Sequence, residues 1–79
     1  MPDPRTRLQE IFRDVLGDPD LVLSDRLSVG SHPEWDSVAT VQIVLAAEAE
    51  FGVRLTTDEV ASIRTAADIL SALGKAGAR

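Results

Sequence analysis

The sequence contains no cysteine and only one histidine, His32. Without cysteine, neither a disulfide framework nor a thiolate metal site is available, and a lone histidine argues against a histidine-based zinc site. We therefore predict no metal site. At 79 residues, the chain is long enough for one domain at most, spanning 1–79 with a core at about 4–74. Its stability must come from the packing of helices.

Long apolar runs and positive charge are also scarce. No segment reaches the ~18 apolar residues that a membrane span needs, and residues 1–5 lack the charged-then-apolar pattern of a signal peptide. The 13 acidic residues outnumber the 8 basic ones, and the net charge is −5. This balance disfavours nucleic acids and anionic membranes as partners. We expect a cytoplasmic monomer.

Two long amphipathic helices are predicted from apolar spacing and end signals. Asp3 and Pro4 are typical of a helix start, and Gly17 ends this first helix. Its inward stripe recurs at helical spacing and comprises Leu8, Ile11, Phe12, Val15 and Leu16. A second helix runs from about Ser37 to Phe51 and ends at Gly52.

Two shorter helices follow, each opened by a capping signal. Thr56 and Glu59 form the capping-box pattern of a short third helix, roughly Thr57 to Ile63. Thr65 and Asp68 form a similar pattern that opens a fourth helix. Gly74 is expected to end it, with a frayed tail over 75–79. Its inward stripe is Ala66, Ile69, Leu70 and Leu73, while Val60 and Ile63 point inward from the third helix.

The predicted fold class is all-α, a four-helix bundle with a long loop between helices 1 and 2 and a short third helix. The loop, residues 18–36, is rich in Asp, Ser, Gly and Pro, and loops of this length usually have a function. Trp35 is expected to anchor its end by packing, and His32 to be solvated. The side chains expected to pin the loop to the core are Leu21, Leu23, Leu27 and Val29.

The second helix is apolar on two opposite sides, so a domain of this size can hardly bury both. One side gathers Ala39, Ile43, Ala46, Ala47 and Phe51. The other, which we call the apolar stripe, consists of Val38, Val41 and Leu45 and is the candidate docking surface. No Lys or Arg occurs between Arg26 and Arg54. The acids expected to form a rim that steers a basic partner are Glu34, Asp36, Glu48 and Glu50.

Ser37 lies where the loop meets the second helix. Unpaired amide donors and the helix dipole at such a position stabilise an anion. Ser37 is therefore either a plain N-cap or the attachment point of a phosphate ester. Asp36 could be the cap instead, with Ser37 in the first helical position.

The order of these elements resembles that of the acyl carrier proteins. The resemblance covers about Leu8 to Leu73, and Asp36-Ser37-Val38 stands where that family has Asp-Ser-Leu before its second helix. Further matching segments are 43–53 and 65–70. The resemblance implies that Ser37 carries 4′-phosphopantetheine, donated by coenzyme A, and that Asp36 belongs to the motif read by the modifying transferase.

The resemblance also implies a carrier and not an enzyme. Acyl groups would be held as thioesters on the terminal thiol, and the docking residues would be Val38, Val41, Leu45 and Glu48. Its partners would be a phosphopantetheinyl transferase, an acyl-loading ligase or acyltransferase, and downstream enzymes of fatty acid or polyketide biosynthesis. An acyl chain could also lie between helices 2 and 3, lined by Ile43, Phe51, Val60 and Ile63.

The chain departs from the common pattern of that family at four positions. Ala39 and Gln42 replace acidic residues, Glu34 replaces a glycine, and Val38 replaces leucine. These departures favour a stand-alone carrier of a specialised pathway. An aminoacyl or peptidyl carrier, and a helical interaction module that is never modified, are the alternatives.

Overall fold

The computed structural model describes residues 3–24 and 26–77, which form four helices. These are α1 (Pro4–Leu16), α2 (Ser37–Phe51), α3 (Thr57–Ser62) and α4 (Ala66–Lys75). Bridges between single residues are the only β pairing within the described ranges. The predicted all-α fold with a long first loop and a short third helix is confirmed. None of the helices in the described residues has the length and apolar character that crossing a bilayer requires.

The helices begin and end largely where the sequence predicts. The Asp3 side chain accepts a hydrogen bond from the Thr6 N–H at 2.8 Å, and complete capping boxes open α3 and α4. Gly17 and Gly52, each with φ of 66°, take the left-handed conformation that costs glycine least and close α1 and α2. Local sequence therefore sets these boundaries.

The end of α4 differs from the prediction. Gly74 lies inside the helix, which continues through Lys75, and the cap is Ala76. The left-handed conformation falls instead on Gly77, with φ of 88°. A glycine inside a helix costs only about 1 kcal/mol, so Gly74 does not force an end. Residues 78–79 of the predicted tail lie outside the described residues.

The core is formed by one face each of α1, α2 and α4. Phe12 and Ile43 are fully buried at 0 % exposure. The predicted inward side of α2 is confirmed except at its edge: Ala46 is only half-buried, whereas Thr40 and Val44, which the pattern did not single out, are buried. Partly buried side chains at the rim of this core are Ile11, Val15, Leu27, Val60 and Leu70.

The long loop is pinned both to the core and to the link before α4. Leu21 and Leu23 are buried at 5 % exposure each, as predicted, and Leu27 packs against the core. The Val29 N–H donates to the Arg64 carbonyl, and the Ala66 N–H donates to the Leu27 carbonyl, both at 2.8 Å. This pairing fixes residues 27–29 beside the link between α3 and α4.

Val29 itself is exposed at 38 %, so its predicted burial is wrong. Its side chain borders an open groove between α2 and α3. An alternating pattern of apolar residues in a loop indicates that some of them are buried, without showing which. Whether a given side chain is buried or borders a groove depends on the elements that pack around the loop.

Candidate functional site

Ser37 is the first residue of α2 and is exposed. Asp36 is the N-cap, with its backbone extended at φ −114° and ψ −172°. Its Oδ1 accepts a hydrogen bond from the Ala39 N–H at 2.8 Å. The reading of Ser37 as a plain N-cap is therefore wrong, and the arrangement with Asp36 as the cap is confirmed.

The Ser37 hydroxyl is available for chemistry. No hydrogen bond engages it within residues 3–24 and 26–77. In this first turn the Ala39 N–H is bound by the Asp36 side chain and the Thr40 N–H by the Asp36 carbonyl. The amides of Ser37 and Val38 find no acceptor in the described chain and can stabilise an anion held at the hydroxyl.

Trp35 holds the first turn of α2 in place from the core. Its side chain is buried at 2 % exposure, and its ring packs edge-on against Phe12 with centroids 5.0 Å apart. The indole Nε1–H donates to Thr40 Oγ1 at 2.7 Å, and that hydroxyl donates to the Asp36 carbonyl at 3.0 Å. The prediction that Trp35 is a packing anchor is confirmed, and Thr40 completes the anchor.

A second contact ties the two ends of the loop together. His32 Nε2 lies 3.1 Å from Asp18 Oδ2, and His32 Nδ1 accepts a hydrogen bond from the Glu34 N–H at 3.1 Å. Because Nδ1 is an acceptor, the Nε2–H group donates the hydrogen bond to Asp18 Oδ2. This hydrogen bond holds the pKa of the Asp18 carboxyl below its ordinary value. The predicted solvated state of His32 is wrong, since the ring is half-buried.

An open groove of about 410 Å³ runs beside Ser37 between α2 and α3. We call it the α2–α3 groove. It is lined by Val29, Ser37, Thr40, Val41, Val60, Ala61, Ile63 and Arg64. Of the residues expected to border an acyl chain, Val60 and Ile63 line the groove. Ile43 and Phe51 do not, because both are packed in the core.

The apolar stripe is exposed on α2, as predicted. Val38 is 64 %, Val41 48 % and Leu45 59 % exposed. Large apolar side chains grouped on one helix face mark a candidate interaction surface. Val41 belongs both to the stripe and to the groove, so the two surfaces meet next to Ser37.

The predicted acidic rim is only partly formed. Glu50 is not part of the rim, because Arg7 of α1 binds the Glu50 carboxylate at 2.7 Å on the side of α2 that faces α1. The Glu48 carboxylate accepts the Leu55 N–H at 2.7 Å and so fixes the chain after α2. Glu34 and Asp36 are exposed. Charge counted along a sequence does not reveal which helix face holds it.

Thr40 and Arg64 are the residues of this site that the sequence did not single out. Thr40 follows Asp36 by four positions, a spacing at which a hydroxyl can reach a helix carbonyl, and this was a usable signal. Arg64 is brought to the groove by the pairing of its carbonyl with Val29. Nothing in the local sequence indicates that contact.

Comparison with known proteins supplies the context for this geometry. Residues 6–73 match the family described as "Phosphopantetheine attachment site". A protein of Acidothermus cellulolyticus named "Acyl carrier protein" is 35 % identical over 71 residues, covering 90 % of this chain and 84 % of that protein. One of the same name from Sinorhizobium fredii is 36 % identical over 78 residues, covering 99 % and 100 %. A Thermobifida fusca relative of that name is 28 % identical over 68 residues, covering 86 % of each chain.

Proposed function

The chain belongs to the acyl carrier protein family, and we propose that Ser37 is the residue to which its prosthetic arm is attached. Proteins of this family are carriers and not enzymes. They bear a covalent 4′-phosphopantetheine, and they work with phosphopantetheinyl transferases and biosynthetic enzymes. The group supplies a terminal thiol on which acyl groups are held as thioesters.

The residues around Ser37 fit such a group. The hydroxyl is exposed and engaged by no other described residue, and the matched segment includes it. The available amides of Ser37 and Val38 suit the negative charge of a phosphodiester. The buried Trp35 and Thr40 hold the turn from the opposite side. This geometry at a first helical residue is the single observation that supports Ser37 most directly.

The chain contributes one nucleophile to its own modification. The Ser37 oxygen forms a bond to the phosphorus that bears the pantetheine of coenzyme A. The bridging P–O bond of the pyrophosphate breaks, and adenosine 3′,5′-bisphosphate leaves. The hydroxyl proton passes to a base of the transferase, whose own magnesium assists. Asp36, whose carboxylate already caps α2, holds the turn in the form that the transferase recognises.

Intact mass spectrometry tests this proposal. After incubation with coenzyme A and a broad-range phosphopantetheinyl transferase, the protein should gain the mass of one phosphopantetheinyl group. Peptide mapping should place it on Ser37, while Ser62 and Ser71, also exposed on helices, serve as internal controls. A folded protein without a mass gain would favour an unmodified helical interaction module. Modification elsewhere would contradict the assignment of Ser37 alone.

The docking surface of the proposed carrier is the apolar stripe together with Glu48. The stripe begins one residue after Ser37 and is exposed along α2, so an enzyme bound there would reach the arm. The remaining exposed residues of this face, Gln42 and Ala49, are uncharged. The surface therefore binds chiefly by apolar burial, and its contacts with successive enzymes are expected to be weak and transient.

Leu45→Asp and Val41→Asp test this surface. Burying a Leu or Val side chain contributes about 1.5–3 kcal/mol, so each variant should lower kcat/KM for arm transfer by roughly 10- to 100-fold. Thermal unfolding should change little, because both side chains lie outside the core.

Val22→Asp is the matched control, since Val22 is 70 % exposed but lies in the loop after α1. It introduces the same charge and should leave the transfer rate unchanged. An equal loss of transfer rate in Val22→Asp would indicate that the added negative charge slows the reaction wherever it is placed. A large fall in thermal stability of Val41→Asp or Leu45→Asp would place the stripe in the core and contradict the proposed surface.

We further infer a specialised biosynthetic pathway for this carrier. The support is the scarcity of acidic residues on this face of α2, where Gln42 stands in place of an acidic residue common in fatty-acid carriers. The test measures malonyl transfer by the fatty-acid malonyltransferase of the native host. This carrier should accept malonyl groups much more slowly than the host's fatty-acid carrier. Equal rates would identify a housekeeping carrier, and amino acids trapped as thioesters on the native protein would identify an aminoacyl carrier.

A further inference from the structure

Arg64 is the one charged residue among the described residues that line the α2–α3 groove. Ser37 lines the same groove, while the other walls are apolar except for Thr40. Thr40 is buried and already bonded to Trp35 and Asp36. The groove therefore offers one hydroxyl for attachment and one cation, set in apolar walls.

The backbone of Arg64 is held on both sides. Its carbonyl accepts from the Val29 N–H at 2.8 Å, and its N–H donates to Asp68 Oδ2 at 2.9 Å. Asp68 also accepts from the Thr65 N–H at 3.1 Å, as part of the box that caps α4. The residue is thus fixed in place even though it lies in a link between helices.

The guanidinium is also oriented. Its Nη1 donates to the carbonyls of Ala61 and Ile63 at 2.8 Å and 2.9 Å. Nε and Nη2 have no hydrogen-bond acceptor in the described chain, and no carboxylate there forms a salt bridge with the guanidinium. Asp68 interacts with Arg64 electrostatically, but the guanidinium donates no hydrogen bond to it. The edge of the guanidinium formed by Nε and Nη2 has the geometry that binds two oxygens of a phosphate group.

We propose that the Arg64 guanidinium binds the phosphodiester of the arm on Ser37 and so directs the first part of the arm along the α2–α3 groove. This proposal rests on the proposed function, because the phosphodiester exists only if Ser37 is modified. A phosphodiester carries one negative charge, and a guanidinium forms stronger hydrogen bonds to such an oxyanion than to a neutral carbonyl. Arg64 is thus a positioning residue.

A purely structural role is the competing explanation. Cations near the end of a helix stabilise its last carbonyls, and Arg64 already donates to the Ala61 carbonyl in α3 and to the carbonyl of the C-cap residue Ile63. That role predicts the same Arg64 environment before and after the arm is attached. The two explanations therefore differ in a comparison of the unmodified and the modified protein.

The experiment follows the Arg64 Nε–Hε signal by 1H–15N NMR before and after modification, confirmed by intact mass. The signal should shift. The exchange of the Nε–Hε proton with water should slow by roughly two- to fivefold, the fold-change that corresponds to the interaction free energy of a solvent-exposed ion pair. The phosphorus-31 resonance of the arm should move in Arg64→Gln and change less in Arg64→Lys, which keeps the charge. Arg54→Gln, at an exposed arginine that does not line the groove, should leave the phosphorus resonance unchanged.

The outcomes separate the two proposals. Without a mass gain on the wild-type protein, the proposed function fails, and the role of Arg64 fails with it. A mass gain on Ser37 with an unchanged Arg64 signal would overturn the role of Arg64 and leave the carrier function standing. If Arg64→Gln does not fold, the wild-type Nε–Hε comparison and Arg64→Lys still decide the question.

Discussion

Ser37→Ala is expected to abolish the gain of phosphopantetheine completely while the helical fold persists. The hydroxyl is the proposed nucleophile, and alanine offers no oxygen to the transferase. Because Asp36 caps α2, loss of the Ser37 hydroxyl removes no hydrogen bond made by the described chain. The free energy of unfolding should change by at most about 0.5 kcal/mol. Intact mass and thermal unfolding followed by circular dichroism measure the two effects.

Asp36→Ala provides the contrasting variant. It removes the cap from α2 and should destabilise the protein by about 1 kcal/mol, while the Ser37 hydroxyl is retained. Modification of this variant should be slowed but not abolished. A modified Ser37→Ala protein, or a Ser37→Ala protein that unfolds much more easily than the wild type, would contradict the assignment of attachment to Ser37 and of capping to Asp36.

Trp35→Ala is expected to destabilise the protein by about 3–5 kcal/mol, the usual range when a buried aromatic residue is truncated. The ring is 2 % exposed, and its loss leaves a cavity against Phe12. For a domain of this size, which is only marginally stable, such a loss is a large share of the total. It also frees the turn that holds Ser37, because the bond from Nε1 to Thr40 disappears.

The measurement is chemical unfolding followed by circular dichroism, since Trp35 is the only tryptophan and its fluorescence is lost. Trp35→Phe is the matched control: it keeps an aromatic ring and removes the Nε1–H donor. Its cost should be closer to about 1 kcal/mol, the net contribution of one hydrogen bond, together with the smaller ring. Wild-type stability in Trp35→Ala would show that the loop does not depend on this anchor.

The helices could be predicted because their signals are local. The capping residues Asp3, Thr56 and Thr65 act on backbone groups within one turn. The apolar spacing of α1 shows which side of that helix is inward. α2 is apolar on two opposite sides, of which the broader one is inward. Gly74 is the exception, since one glycine alone does not end a helix, and α4 continues to Lys75.

The candidate site could be predicted only in its sequence-contiguous part. Asp36, Ser37 and the apolar stripe follow one another along α2, and their exposure agrees with the pattern. The roles of Glu50 and His32 were misjudged because their partners, Arg7 and Asp18, lie far away in the sequence. The predicted groove residues Ile43 and Phe51 were misplaced for the same reason.

The sequence by itself determined four helices, a serine at the start of α2 and an exposed apolar stripe beside it, because caps and helical periodicity act within a few residues. Only the tertiary structure decided what surrounds that serine. The loop pairs with the link before α4 through Val29 and Arg64, and this contact between distant segments brings a guanidinium to the groove. Such contacts depend on how the helices pack in three dimensions, which spacing along the chain does not encode.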